Sequence, residues 1–315
     1  MKKVIEVQNG VTRHPLWRMA EPVCLEIMEG EQIAIAGENG AGKSRLVEIL
    51  TGHYPLLGDA IRYDFSPSPL KLVSENMKYI AFRDSYGDQD ATYYYQQRWN
   101  QHDIDESTPT VGQLLEDAFG KADESVGHGL DPRQQEALRA SMQEKREVLM
   151  RLFHLHDLYD KYIISLSSGE LRKFQLARAL GSAPRMLVMD NPFVGLDSDT
   201  RIQLRELLSS LITQFGLQVI LIVSRDVDIP DFITHVLPVA GNRLLPKQTR
   251  AEYLSLVQSP TPPYLSSEAR EWIVNLPERP LDTEHFYPKQ GGEILKFDGV
   301  NIRYGSRTIL SDLHW

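Results

Sequence analysis

The sequence has a single cysteine, Cys24, so it carries neither a disulfide framework nor a cysteine-based zinc cluster. A reducing compartment such as the cytosol fits that. It also lacks a positive charge excess. Against 34 Lys and Arg stand 43 Asp and Glu, for a net charge of −9. That balance argues against a general nucleic-acid binder, which needs a basic face to meet phosphates. No run of apolar residues approaches the roughly 18 needed to cross a bilayer. Met1-Lys2-Lys3 leads into a mixed, strand-like run, so no signal peptide is expected. What remains is 42% apolar residues over 315 positions, enough for one large core or two small ones.

The strongest local feature is Gly37-Glu38-Asn39-Gly40-Ala41-Gly42-Lys43-Ser44, followed by Arg45. Two glycines spaced by four residues, then Lys-Ser, form a P-loop pattern. Phosphate oxygens must be met by backbone amides, so bulky side chains are kept out, and the lysine and hydroxyl supply charge and a metal ligand. In that reading Lys43 reaches the β- and γ-phosphates of ATP and Ser44 binds Mg²⁺. The flanks fit: Ile33-Ala34-Ile35-Ala36 is a short apolar strand, and Leu46, Val47, Ile49 and Leu50 recur at helical spacing. Met186 to Met189 and Val219 to Val223 are two further apolar runs of buried-strand type, alternating with helical stretches at 131–155, 171–180 and 201–214. Strand–helix alternation with apolar strands predicts an α/β fold with a parallel sheet. Cys24, within a strand-like run at 22–27, reads as a buried, inert thiol.

Three more constellations follow. Leu166-Ser167-Ser168-Gly169-Glu170 leads into a helix, and a Ser-Ser-Gly turn there offers amides and hydroxyls to an anion, although the same residues also make an ordinary helix cap. Asp190 closes the 186–189 strand, where a carboxylate beside the P-loop strand would partner Mg²⁺. Gly195-Leu196-Asp197 is a tight turn ending in an acid. In this order and spacing the four motifs resemble the ATP-binding cassette (ABC) family over about residues 4–243. Within it the chain is similar to tandem-cassette proteins of the molybdate-transport or photorepair (ModF-like) type.

The resemblance implies a cassette with a RecA-like parallel core, an N-terminal antiparallel β subdomain and an inserted helical subdomain at about 83–180. It implies a head-to-tail partner cassette: Ser167, Ser168 and Gly169 would complete that partner's site, with a membrane permease as a further partner and a cytoplasmic location. Residues 1–245 would form the cassette and 246–290 a proline-rich linker. The tail at 291–315 reads either as the start of a second cassette or as a hairpin completing the first, because Asp298-Gly299-Val300 repeats Asn9-Gly10-Val11. The aromatic stacked on adenine in this family falls near His14 here and at Tyr304 in the tail.

The family pattern is broken in three places. Asn191 stands where a water-polarising glutamate is expected, and Arg225 where a histidine meets the γ-phosphate. An amide cannot take a proton, so this site is expected to bind ATP and hydrolyse it slowly. The glutamine expected after the third core strand is unassigned, with Arg83 or Asp84 in its place and Gln96 and Gln97 nearby. The Tyr93-Tyr94-Tyr95, Arg98 and Trp99 cluster reads as helical-subdomain packing, a partner contact or a surface that stacks on bases. His154 and His156, two apart, point different ways on a helix and make poor joint metal ligands.

Overall fold

The computed structural model describes residues 2–82, 108–125, 127, 129–257, 275, 296–304 and 307–314. The glutamine-position candidates Arg83, Asp84, Gln96 and Gln97, the 93–99 aromatic cluster and nearly all of the 246–290 segment beyond 257 lie outside those residues. The chain divides into two compact units, 1–259 and 260–315.

In the first unit, β1 (Lys3–Gly10), β2 (Val23–Met28) and β4 (Ile61–Tyr63) form an antiparallel sheet in the order β2-β1-β4. Between them come β3 (Ile33–Ala36) and helix α1 (Lys43–Leu50), and after them α2 (Val73–Asn76) and β5 (Met77–Ala81). The helical region holds α3 (Val111–Ser125) and α4 (Pro132–Leu152), and α5 (Ser168–Leu180) follows. The chain returns to the core through β6 (Met186–Asp190), α6 (Ser198–Phe215), β7 (Gln218–Val223) and β8 (His235–Ala240), then closes with β9 (Arg243–Leu244), β10 (Gln248–Thr249) and α7 (Arg250–Val257). The core sheet runs β10-β8-β3-β7-β6-β5, with β9 beside β8. Its β8-β3-β7-β6-β5 portion is parallel throughout.

This sheet is buried on both faces, which is why its strands read as unbroken apolar runs rather than as alternation. The two-residue pleat sorts the side chains. Ile33, Ile35, Val188, Ile220 and Ile222 face a core shared with the antiparallel sheet and α1. Ala34, Ala36, Leu187, Met189, Val219 and Leu221 face a second core built with α5 and α6. Small alanines on that face of β3 leave room for the helices. Each large apolar side chain so buried contributes about 1.5–3 kcal/mol.

Two sequence expectations are corrected here. Cys24 is exposed. Strand β2 alternates, with Val23, Leu25 and Ile27 buried, and this puts Cys24 on the outer face, where its thiol and Asn9 are hydrogen-bonded at 3.3 Å. Asp190 does end a core strand, but not one adjacent to the P-loop strand: β7 lies between β3 and β6.

In the second unit, β11 (Val300–Tyr304) and β12 (Arg307–Leu313) pair as an antiparallel hairpin, a two-stranded sheet of its own. Asn9-Gly10 closes β1, whereas Asp298-Gly299 stands just ahead of β11. The repeated residues therefore take different places relative to their strands.

Candidate functional site

The segments that follow β3, β6 and β8 leave the carboxyl edge of the parallel sheet, where open α/β sheets bind ligands, and line the candidate site. Strand β3 runs into residues 37–42, whose glycines take conformations that other residues resist. Gly37 has φ +154°, and a Cβ there would lie 2.1 Å from the Val239 carbonyl oxygen of the neighbouring strand. Gly42 is left-handed at φ +106° and caps α1 with no side-chain bond to the first turn. The leading amides of α1 are thus left to an anion, which the helix dipole also favours. Lys43 is buried, and its Nζ donates to the carbonyls of Gly37 at 2.7 Å and Glu38 at 2.9 Å. Burial pushes its pKa down, against the opposing pull of Asp190.

These residues line a cavity of about 520 Å³. Asn39, Gly40, Gly42, Lys43, Ser44 and Arg45 form one wall, and Asp190 and Asn191 contribute to another. Glu48, Tyr54 and Asn242 complete it. A hydroxyl at Ser44 and a carboxylate at Asp190 facing one cavity are hard oxygen donors of the kind Mg²⁺ takes, with phosphate and water supplying the rest. No cluster of three or more His, Cys, Asp or Glu ligands occurs among the described residues.

The Asp190 wall is already hydrogen-bonded. Tyr79 Oη donates to Asp190 Oδ2 at 3.1 Å, and Asn191 Nδ2 donates to Asp190 Oδ1 at 2.7 Å. Asn191 Oδ1 accepts from Ser224 Oγ at 3.2 Å. Its backbone is left-handed at φ +48°, a conformation asparagine tolerates better than most residues. Arg225 is not part of the cavity lining. Its Nε donates to Asp228 Oδ2 at 2.9 Å and its Nη2 to Oδ1 at 3.1 Å. Asp228 is buried and also takes Arg201 at 3.1 Å, whose Nε donates to the carbonyl of Leu196.

Ser167, Gly169 and Glu170 line a separate cavity of about 200 Å³, with Thr200 across from them. Ser167 caps α5: its Oγ accepts from the Glu170 amide at 3.2 Å while Glu170 accepts from the Ser167 amide at 2.8 Å. Ser168 opens that helix. Arg172, one turn on, donates to the carbonyl of Val194 at 3.0 Å, which ties α5 to the 195–197 turn. Asp197 caps α6 through Thr200, and those bonds lower its pKa.

His14 does not line the larger cavity. It caps the turn Pro15–Trp17, accepting from the Leu16 amide at 3.3 Å, and packs on Trp17 with ring centres 4.7 Å apart. Trp17 stacks on Tyr54 at 4.4 Å and 8°, and Tyr54 is the ring that reaches the cavity. Trp17, Tyr54 and Asn242 escaped the sequence reading. The only signals were an aromatic four residues beyond α1 and a Gly-Asn turn after the last parallel strand. Tyr304 falls in β11, but its side chain lies outside the described residues.

With the geometry in hand, comparison with known proteins is direct. A family model described as ABC transporter matches residues 20–194. The chain is 29% identical over 292 residues to the ABC transporter ATP-binding protein ModF of Escherichia coli, covering 92% of this chain and 53% of ModF. It is 25% identical over 304 residues to an uncharacterized ABC transporter ATP-binding protein of Schizosaccharomyces pombe, covering 96% of this chain and 55% of that one. The chain thus spans about half the length of these curated relatives. Among solved structures, cbiO1 from Clostridium perfringens, part of the ABC transporter complex cbiONQ, superposes with a TM-score of 0.58 at 18% identity, over 88% of this chain and 96% of that one. That likeness concerns the fold.

Proposed function

The chain belongs to the ABC transporter family, and from that premise we propose that it binds ATP with Mg²⁺ and acts as the ATP-binding, slowly hydrolysing component of a transport system. The observation that carries this reading is the single cavity into which the P-loop, Lys43, Ser44 and Asp190 all open. Uncapped α1 amides and Lys43 receive the β- and γ-phosphates. Ser44 and Asp190 would hold Mg²⁺, which neutralises phosphate charge when bound. Tyr54, backed by Trp17 and His14, offers an aromatic face to the base.

Asn191 sets the rate. Hydrolysis needs the attacking water oriented and relieved of a proton. The Asn191 amide is held between Asp190 and Ser224. It can orient water through its oxygen but cannot accept the proton, which forfeits roughly 10²–10⁴-fold. Arg225 would have to leave Asp228 before it could meet a phosphate. The same asparagine favours a second reading, a nucleotide-gated adaptor that binds ATP without significant turnover and exchanges partners.

Of the signature residues, Ser167 and Gly169 line a different cavity from the P-loop, and Ser168 opens the helix beside it. This supports a head-to-tail partner cassette whose site they complete. We assign residues 1–245 to one cassette, 246–290 to a linker, and 291–315, which hold the β11–β12 hairpin, to the start of a second. Among the described residues no helix is long and apolar enough to cross a membrane. Membrane association would run through a permease, with the chain in the cytoplasm. By the resemblance to ModF-like proteins, the cargo would be molybdate or a related anion.

Thermal unfolding tests the premise. ATP with Mg²⁺ should raise the midpoint, and chelating the Mg²⁺ should remove most of the gain. No shift at millimolar ATP would overturn nucleotide binding altogether.

A further inference from the structure

Asn242 lies in the turn between β8 and β9, far outside the 20–194 region matched by the family, yet it faces the phosphate cavity. Its backbone is left-handed at φ +61°. Three bonds fan out from it to two distant segments. Its amide donates to the Ala41 carbonyl in the P-loop at 2.8 Å, its Nδ2 donates to the Arg18 carbonyl at 2.9 Å, and its own carbonyl accepts from the Ala20 amide at 2.8 Å. Its Oδ1 is buried without a hydrogen-bond partner among the described residues and presses on Gly42, where a Cβ would come within 2.7 Å. The Arg18 carbonyl takes a second donor at 3.0 Å from Arg45 of α1. Arg18 directly follows Trp17, the ring stacked on Tyr54. Tyr54 is itself pinned to α1, its amide donating to the Glu48 carbonyl at 2.9 Å.

We propose that Asn242 is a positioning residue that couples the phosphate-binding loop to the Trp17 segment, so that loop and aromatic face meet a nucleotide as one preformed surface. The proposal rests on the nucleotide reading above. The physical case is preorganisation. A loop and a ring held separately would each have to be ordered by the ligand. Fixing both in advance removes that cost and turns base stacking into affinity. The link through Nδ2 is the only one of the three bonds that depends on the side chain, so it can be cut alone. Asn242→Gly keeps the left-handed backbone and both main-chain bonds.

The test compares ATP with inorganic tripolyphosphate by titration calorimetry, on the parent chain and on Asn242→Gly. Tripolyphosphate reports the loop alone; ATP reports loop and base together. Asn242→Gly should bind ATP about fivefold more weakly, the value of one hydrogen bond, while its tripolyphosphate affinity stays within about twofold. Asn242→Asp keeps the side-chain shape and loses the donor. It should show the same drop in the ATP-to-tripolyphosphate ratio beneath a uniform loss from its added charge. A purely structural residue would weaken both ligands in parallel or neither, and either result would overturn the coupling. So would a parent chain that binds the two ligands equally. A parent chain that binds neither would overturn the nucleotide reading and the coupling with it.

Discussion

On one side of the cavity, residues 37–44 present backbone amides and one lysine, and what holds them is glycine conformation and the start of a helix. On the other, Asp190 and Asn191 present side chains bonded to Tyr79, to Ser224 and to each other. The first wall owes little to which side chains surround it. The second owes everything to them. The two walls are thus built from different materials, backbone conformation on one side and side-chain hydrogen bonds on the other.

The largest effect on this comparison should come from Lys43. Its charge is the strongest single element of the cradle, so Lys43→Ala should weaken ATP binding by about 100-fold or more in calorimetry, the scale of lost charge-assisted bonds. A loss below about tenfold would mean that the amides alone hold the phosphates. Next is Gly37→Ala. A Cβ 2.1 Å from the Val239 carbonyl meets backbone that cannot yield cheaply. The variant should lose about 3 kcal/mol of stability, on the scale of strain from overpacking, in chemical unfolding. An unchanged midpoint would show that the cradle is looser than its geometry implies.

On the far wall, Arg225→Ala should change the ATP affinity of this chain by less than about threefold, because Arg225 is spent on Asp228. A drop of tenfold or more would place its guanidinium on the phosphate after all. The smallest effect lies outside the site. Hydrogen bonds from Lys2 and Ser66 hold the Asp64 carboxyl down at about 2, from an ordinary 3.8. A depressed acid stabilises the fold above its unfolded pKa and loses that contribution as pH falls through the folded one. Urea midpoints measured at successive pH values between 3.8 and about 2 should therefore fall slightly less steeply in Asp64→Asn than in the parent chain. Identical slopes would remove the pair from the account.

The first wall was legible in the sequence and the second only in part, for a physical reason. The glycine spacing, the apolar runs of β3, β6 and β7, and the Ser167 cap are local signals, each fixed by the conformation of a few neighbouring residues. Contacts between distant segments leave no such trace. Nothing near Arg225 in the sequence announces that it pairs with Asp228, which is buried and shared with Arg201. Cys24 reads as buried because a lone thiol in a strand-like run usually is, but the pleat of β2 puts it on the outer face. The adenine-side aromatic was sought near His14, while the ring that reaches the cavity is Tyr54, joined to His14 through Trp17.

The central claim is that Asn191 makes this a site that holds ATP and spends it slowly. The most direct test is ATP turnover at saturating Mg²⁺-ATP for the parent chain, Asn191→Glu and Lys43→Ala. The account predicts slow turnover in the parent, a rise of about 10²-fold or more on restoring a carboxylate at 191, and loss of both in Lys43→Ala backgrounds. A parent chain turning over several times per second, dependent on Lys43 and no faster with glutamate at 191, would contradict it.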